Sequence, residues 1–239
     1  AQLIKEVHRK MVYRHLAWIN ILQFQLRRKT PFSFKPTRSA RKFMQSTDLE
    51  DMKRQVSELL DESELSVICP KAKSAAQVLR LQSENLREVV EELRLADDFR
   101  HIAMMELITE MYGLQGKCER IKNTPFPRQY AYFSTIFTWI FVLLLPFGLL
   151  SIFEAEMNEM RSVLHQELFL ALMIPFSVLI SWIFITMEKI GSNSEDPFEG
   201  RINDVPMTAL CRTIEIDLRD MLDESNLPPK VEPKDNILY

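Results

Sequence analysis

Glycine is scarce, five in 239 residues, and none belongs to a glycine-rich loop able to cradle a phosphate. No Gly-x-Ser-x-Gly elbow and no His-Glu-x-x-His pair occurs, so the common hydrolase and zinc-protease sites have no foothold. The four histidines, His8, His15, His101 and His165, stand at no metal-ligand spacing with one another or with cysteine. Cysteine is rare as well. Cys69, Cys118 and Cys211 are far apart and odd in number, which implies no disulfide framework and fits a reducing compartment. The chain opens at Ala1 without a methionine or the pattern of a secretory leader and enters directly into a helical repeat, so a missing upstream segment is expected. Neither an enzyme nor a metal site is expected from these residues.

What the sequence does hold is two long uncharged runs, Tyr130 to Phe153 and Leu168 to Met187, in a chain with 26% charged residues. As helices these would be roughly 36 and 30 Å long at about 1.5 Å per residue, against a bilayer core of about 30 Å. A soluble fold of this size has little core in which to hide both, so an integral membrane protein with two spans is expected. Pro146 and Pro175 fall inside the runs, where neighbouring helices or polar side chains must satisfy the freed carbonyls. Tyr130, Tyr132 and Phe133 fit an interfacial aromatic belt at the entry to the first span.

Lysine and arginine set the orientation. Lys117, Arg120, Lys122 and Arg128 precede the first span, Lys189 and Arg201 follow the second, and the connecting loop Glu154 to Glu167 has only Arg161 among four glutamates. Both termini of this chain are therefore expected in the cytoplasm, with the loop outside. The expected organisation is a cytoplasmic helical region at 1–129, two transmembrane helices at 130–187, a cytoplasmic turn and amphipathic helix at 188–222, and an extended tail at 223–239. That tail, rich in proline and polar residues, either clasps a neighbouring subunit or is disordered.

The net charge of −3 conceals a division: residues 1–42 hold eleven bases against the single acid Glu6, and residues 188–239 hold twelve acids against six bases. The basic run Arg27, Arg28, Lys29, Lys35, Arg38, Arg41 and Lys42 lies in no nucleic-acid-reading motif. Anionic lipid or pairing between subunits is the expected partner, and nucleic acid is not.

Helical spacing runs through the region before the spans. Ile4, Val7, Met11, Leu16, Ile19, Leu22 and Leu26 predict an amphipathic helix ending before Pro31, and Thr47 with Glu50 predicts a capping box ahead of Leu49, Met52, Val56, Leu59 and Leu60. Pro70 interrupts, and Val78, Leu79, Leu81, Leu86, Val89, Val90 and Leu93 mark the next helix. After the spans, Met207, Leu210, Cys211, Ile214, Leu218, Met221 and Leu222 predict a helix with Asp204 as its cap and Pro206 opening its first turn.

A helix predicted from about Asp98 to Gly116 sorts onto two faces at 100° per residue. Met104, Leu107, Ile108, Met111 and Leu114 form a packing face, and Phe99, Ile102, Ala103, Glu106 and Glu110 form a second, apolar at one end and acidic at the other. Two readings of this second face stand: Phe99 and Ile102 pack on a neighbouring helix while the glutamates meet water, or the face lines a passage, an apolar ring constricting it and carboxylates biasing the passing charge.

Four stretches together resemble the bestrophins, the bacterial members above all: Trp18 to Arg28; Cys118-Glu119-Arg120-Ile-Lys-Asn-Thr-Pro125-Phe-Pro127 with Tyr130; Leu144-Leu-Pro-Phe147 inside the first span; and Glu195-Asp196-Pro197-Phe198 followed by Asn203-Asp204-Val-Pro206. The resemblance runs from near Ala1 to about Leu222. It implies an all-α membrane protein assembled as a homopentamer, and a subunit of an ion channel that passes monovalent ions passively, chiefly chloride in animals and plants, cations in some bacterial members. It places a cytoplasmic aperture at Phe99 or Ile102, on the helical face that also carries Glu106 and Glu110. It implies a bacterial inner membrane. The chain matches the family's last two spans and lacks the first two, which include the pore neck, so it reads as a fragment or a shortened relative. Animal members hold calcium with an acidic cluster where this chain has Glu199-Gly-Arg-Ile-Asn-Asp204. Fewer acids and an inserted arginine suit that ion poorly, since it takes six to eight oxygens, and no cofactor is expected. The alternative function is a membrane-anchored helical interaction or scaffold protein without conductance.

Overall fold

The computed structural model describes residues 2–28, 49–124, 128–158, 163–193, 197–200, 204–233 and 238. Every regular element among them is an α-helix: α1 (Gln2–Arg27), α2 (Leu49–Val56), α3 (Glu62–Ile68), α4 (Ser74–Glu91), α5 (Asp98–Asn123), α6 (Arg128–Asn158), α7 (Val163–Asn193) and α8 (Met207–Asp220). The chain forms two compact units, one of Ala1–Thr124 with Asp196–Tyr239 and one of Pro125–Glu195.

The first unit is built around α1, which packs against α4, α8, α2 and α5. Leu16, Ile21 and Leu26 of α1 meet Met52 and Val56 of α2, Ile68 of α3, Val78, Leu79 and Leu86 of α4, and Ile108 of α5 in one core. From Leu16 onward α1 is buried nearly all round, as the central helix of a bundle must be, while Leu3 and Ile4 at its start stay exposed. Ile4 thus falls outside the packing face that its spacing suggested. Arg14, buried in the same helix, reaches Glu64, its Nε donating at 3.0 Å. Burial around His15, whose ring lies 5.3 Å from that of Trp18, holds the imidazole below its ordinary pKa.

Two helices differ from expectation. The α5 helix runs on past Gly116 to Asn123: each glycine costs about 1 kcal/mol relative to alanine in a helix, and a continuous packed row of Ile108, Met111, Gln115, Cys118 and Lys122 offsets it. That row also relocates the packing face. Ile108 and Met111 belong to it, but Met104, Leu107 and Leu114 are exposed. The predicted capping box begins at Thr47, outside the described residues, and Glu50 instead accepts from Lys53 at 2.9 Å.

After α8 the chain turns back on its own first helix. The Glu224 carboxylate accepts from the Tyr13 hydroxyl at 2.8 Å and from Arg219 Nε at 2.8 Å, and Arg219 also donates to the Asn226 carbonyl. Burial raises the Glu224 pKa, but the hydrogen bonds from Tyr13 and Arg219 outweigh it and hold the carboxyl below its usual range. The start of the tail is thus pinned to its own subunit.

In the second unit α6 and α7, each of 31 residues, lie side by side. Contacts pair Thr135 with Glu188, Phe141 with Phe184 and Phe153 with Phe169, so the helices run antiparallel. Their apolar stretches, Tyr132–Glu156 and Phe169–Ser192, are roughly 38 and 36 Å long at 1.5 Å per residue; each begins slightly later than the run read from sequence and ends about a turn beyond it. Pro146 and Pro175 both sit inside continuous helix.

Candidate functional site

Helix α5 is capped by Asp97, whose side chain accepts from Arg100 N at 2.8 Å, and the N-terminal half of the helix carries the residues singled out from the spacing. Phe99 is 86% exposed and Ile102 59%. Glu106 and Glu110 follow on the same exposed side, each within about 20° of the Phe99 direction at 100° per residue. The packed row of Ile108, Gln115 and Lys122 is on the opposite side. One helix face thus presents an uncovered phenyl ring, an isoleucine and two carboxylates, held in place by a helix anchored along its back. An exposed phenylalanine at the first turn of a long, well-anchored helix contributes little to the packing of the described residues.

The anchoring depends on Glu119 of the Cys118-Glu119-Arg120 stretch. Its Oε1 accepts from Gln115 Nε2 at 2.8 Å and from Gln25 Nε2 at 3.0 Å, and its Oε2 accepts from Lys73 Nζ at 2.6 Å. Gln115 Oε1 in turn accepts from Trp18 Nε1 at 3.0 Å. One carboxylate therefore ties α1, the approach to α4, and α5. Partial burial pushes its pKa up, and the bonds from Lys73 and Gln115 overcome that and hold it below the ordinary carboxylate value. Cys118 packs half-buried against the core and Arg120 is exposed. Pro125 and Pro127 lie outside the described residues.

The other stretch, after the spans, is a tight turn locked to the end of α5. Phe198 and Gly200 adopt φ of +63° and +69°, and Asp204 enforces this. Its Oδ1 accepts from Phe198 N at 3.0 Å and Val205 N at 2.8 Å, and its Oδ2 from Gly200 N at 2.8 Å. Asp204 therefore clamps the turn rather than capping α8, whose N-cap is Pro206 without a side-chain cap bond; proline precedes the helix instead of opening it. The turn sends Glu199 inward, where its carboxylate meets Lys122 Nζ at 3.2 Å, and the same ammonium lies 3.4 Å from the Pro197 carbonyl. Both charged side chains are almost fully buried. Asp196 and Asn203 lie outside the described residues.

Arg27 joins this corner. It is buried, with Nε 3.7 Å from where a Cβ on Gly200 would stand. Burial lowers its pKa, against the pull of Cys211 and Asp204. Arg27 is thus an interior residue and not part of a lipid-facing basic surface; Arg28 is exposed, and Lys29, Lys35, Arg38, Arg41 and Lys42 lie outside the described residues. Burial likewise pushes the Cys211 thiol up to about 11. Among the described residues no group of three or more His, Cys, Asp or Glu is placed to hold a metal ion, and both Asp204 oxygens are already occupied by backbone amides.

Replacing Asp204 with alanine removes three amide bonds to a charged acceptor, at about 1.5–3 kcal/mol for a bond to a charged group. Allowing for solvent at the exposed Val205 amide, the net loss is expected at about 2–4 kcal/mol, read as a lower midpoint in thermal unfolding of the detergent-solubilised protein, with Asp204→Asn in between.

The Lys122–Glu199 pair and the Glu119 junction join residues far apart in the chain, and spacing gave no signal for them beyond the motifs that contain one partner of each.

Comparison with known proteins adds the following. A family model described as bacterial/fungal bestrophin protein matches residues 2–220. A Salmonella typhi protein named voltage-dependent anion channel-forming protein YneE is 33% identical over 175 residues, 73% of this chain and 52% of the relative. A Mesorhizobium japonicum protein named as a voltage-dependent anion channel-forming protein is 30% identical over 134 residues, 56% of this chain and 38% of the relative. The crystal structure of a bacterial bestrophin homologue from Klebsiella pneumoniae superposes with a TM-score of 0.71 at 25% identity, over 93% of this chain and 68% of that one. The chain spans about half the length of the YneE relative it matches.

Proposed function

Because the chain belongs to the bacterial and fungal bestrophin family and is a membrane protein, we propose that it is a subunit of a homo-oligomeric channel passing monovalent ions by passive conduction. The observation that carries this is the uncovered face of α5. Phe99 and Ile102 are large apolar side chains exposed at the start of a helix whose far side packs through Ile108, Gln115 and Lys122. Repeated around a symmetry axis, they make a dehydrating constriction, and Glu106 and Glu110 form rings of negative charge beyond it. A pentamer gives five of each. Conduction of this kind needs no catalytic residue and no cofactor.

The spans anchor the assembly in lipid. Lysines and arginines flanking them support an orientation with both ends of this chain on the cytoplasmic side of a bacterial inner membrane, although Lys122 now counts as a buried partner of Glu199 and not as a surface charge. Arg28 is free to meet anionic headgroups or a neighbouring subunit, and no element offers a nucleic-acid-reading motif.

Reconstitution of the complete protein in planar bilayers tests the proposal. Discrete current steps are expected from an oligomer of fixed size. In a salt gradient, the Glu106→Gln/Glu110→Gln variant is expected to shift the reversal potential toward anions, because two rings of carboxylate are lost. A silent protein would favour the scaffold reading.

A further inference from the structure

The exposed face of α5 does not end at Glu110. Eighteen residues make five whole turns of an α-helix, so Lys117 and Arg120 stand at the same angles as Phe99 and Ile102, roughly 27 Å further along at 1.5 Å per residue. Both are exposed. Neither makes an ion pair among the described residues, and neither Glu106 nor Glu110 makes one there. Along one face the order is therefore an apolar pair, two carboxylates, a glycine at Gly113 and two cations.

These charges are not spaced as on the other helices of the chain. There, opposite charges three or four positions apart pair on their own helix, Lys53 with Glu50 and Arg219 with Glu215, each such pair stabilising a helix by about 0.2–0.5 kcal/mol. On α5 like stands beside like. Glu106 and Glu110 are four apart and Lys117 and Arg120 three apart, which destabilises the helix by similar amounts. The nearest opposite charges on the face, Glu110 and Lys117, are seven apart, outside the spacings at which helix neighbours meet. Between them Gly113 has nothing within 4 Å of where a Cβ would stand. Glycine costs about 1 kcal/mol relative to alanine in a helix, and no close packing among the described residues requires it here. What it does is keep the face bare between the two groups of charge.

We infer that Lys117 and Arg120 form a second, positive zone of the passage, in series with the carboxylates, and that the two zones together make the passage rectify. This rests on the reading of the exposed α5 face as the wall of that passage. Rings of carboxylate concentrate cations and rings of Lys or Arg concentrate anions. Glu110 and Lys117 are roughly 10 Å apart along the axis at 1.5 Å per residue, beyond the Debye length of about 8 Å at physiological salt, so each zone gathers its own counter-ions. At one polarity, cations drawn through the acidic zone and anions drawn through the basic zone meet near Gly113, and local salt and conductance rise. At the other polarity both are pulled away from the junction and conductance falls. Fixed charge alone produces the asymmetry, with no moving gate.

Bilayer recording of the complete protein tests this with the Lys117→Gln/Arg120→Gln variant beside the parent. In symmetric salt of about 0.15 M the parent is expected to pass unequal currents at equal and opposite potentials, and to lose the inequality at about 1 M, where the Debye length falls to about 3 Å. The variant is expected to lose most of the inequality at the lower salt. In a salt gradient its reversal potential is expected to shift toward cations, opposite to the shift of Glu106→Gln/Glu110→Gln. Both cations are exposed and unpaired, so the thermal midpoint stays at the parent's, and a Lys117→Arg/Arg120→Lys variant, which keeps the charge, conducts as the parent does. Equal parental currents at both polarities would overturn the inference, as would a Lys117→Gln/Arg120→Gln reversal potential that stays put or moves toward anions. A shift from the acidic variant alone removes only the positive zone, whereas no shift from either variant removes the passage reading beneath it.

Discussion

Replacing Glu199 with alanine is expected to destabilise the helical unit by about 3–5 kcal/mol, the usual cost of removing one partner of a buried ion pair. The size follows from what remains. The Lys122 ammonium is almost fully buried, 3.2 Å from the carboxylate and 3.4 Å from the Pro197 carbonyl; without Glu199 it keeps one distant, neutral acceptor for three N–H donors. It must either stay charged at high cost or give up its proton. Glu199→Gln retains an acceptor and is expected to lose less. A Lys122→Met/Glu199→Met double variant removes both charges and is expected to recover most of the loss, since apolar replacements of a buried pair are often neutral or better. Thermal unfolding in detergent checks the order: alanine lowest, glutamine between, the double variant near the parent. A double variant no better than alanine would mean that the turn itself, and not the uncompensated charge, sets the cost.

This pair also marks how far the sequence could be read. Helices were legible wherever one face is apolar, because burial on one side writes a 3.6-residue period, which α4 and α8 carry plainly, whereas the two spans were legible as uncharged runs long enough to cross a bilayer. The exposed face of α5 was legible for the same reason, since Phe99 and Ile102 break the polar side of that period. Lys122 and Glu199 are separated by 77 positions, and both look like ordinary surface charges; only the turn that Asp204 imposes brings them together. Asp204 itself reads as a helix cap because it precedes α8 by three residues, yet three amides of the turn compete for its oxygens and win. Arg27 sits in a basic run and is nevertheless buried, because the last turns of α1 are covered all round. The true packing row of α5 was misplaced by part of a turn because its members include Gln115 and Lys122, polar residues whose hydrogen bonds suit them to the interior.

The second large effect is expected at the passage. Phe99 presents nearly its whole ring to the surroundings and packs on nothing in its own unit, so Phe99→Ala is expected to leave folding and thermal stability close to the parent. Its effect on conduction should be large, because a ring of phenyl groups sets both the width of an aperture and the cost of stripping water from an ion within it. Alanine widens and wets the constriction together. Ile102→Ala, one turn further along the same face and less exposed, is expected to act in the same direction with a smaller change. A substitution on the packed row is a useful contrast: Ile108→Ala should lower stability by about 2–5 kcal/mol through a core cavity without a specific change in ion preference.

Single-channel recording of the Phe99→Ala variant of the complete protein, beside the parent in the same bilayers, tests the central claim most directly. If the exposed face of α5 lines the ion path, the unit conductance rises several-fold or the reversal potential in a salt gradient moves, with the oligomer and its thermal midpoint unchanged. Currents identical to the parent in both respects would take Phe99 out of the passage and leave the exposed face of α5 as a packing surface.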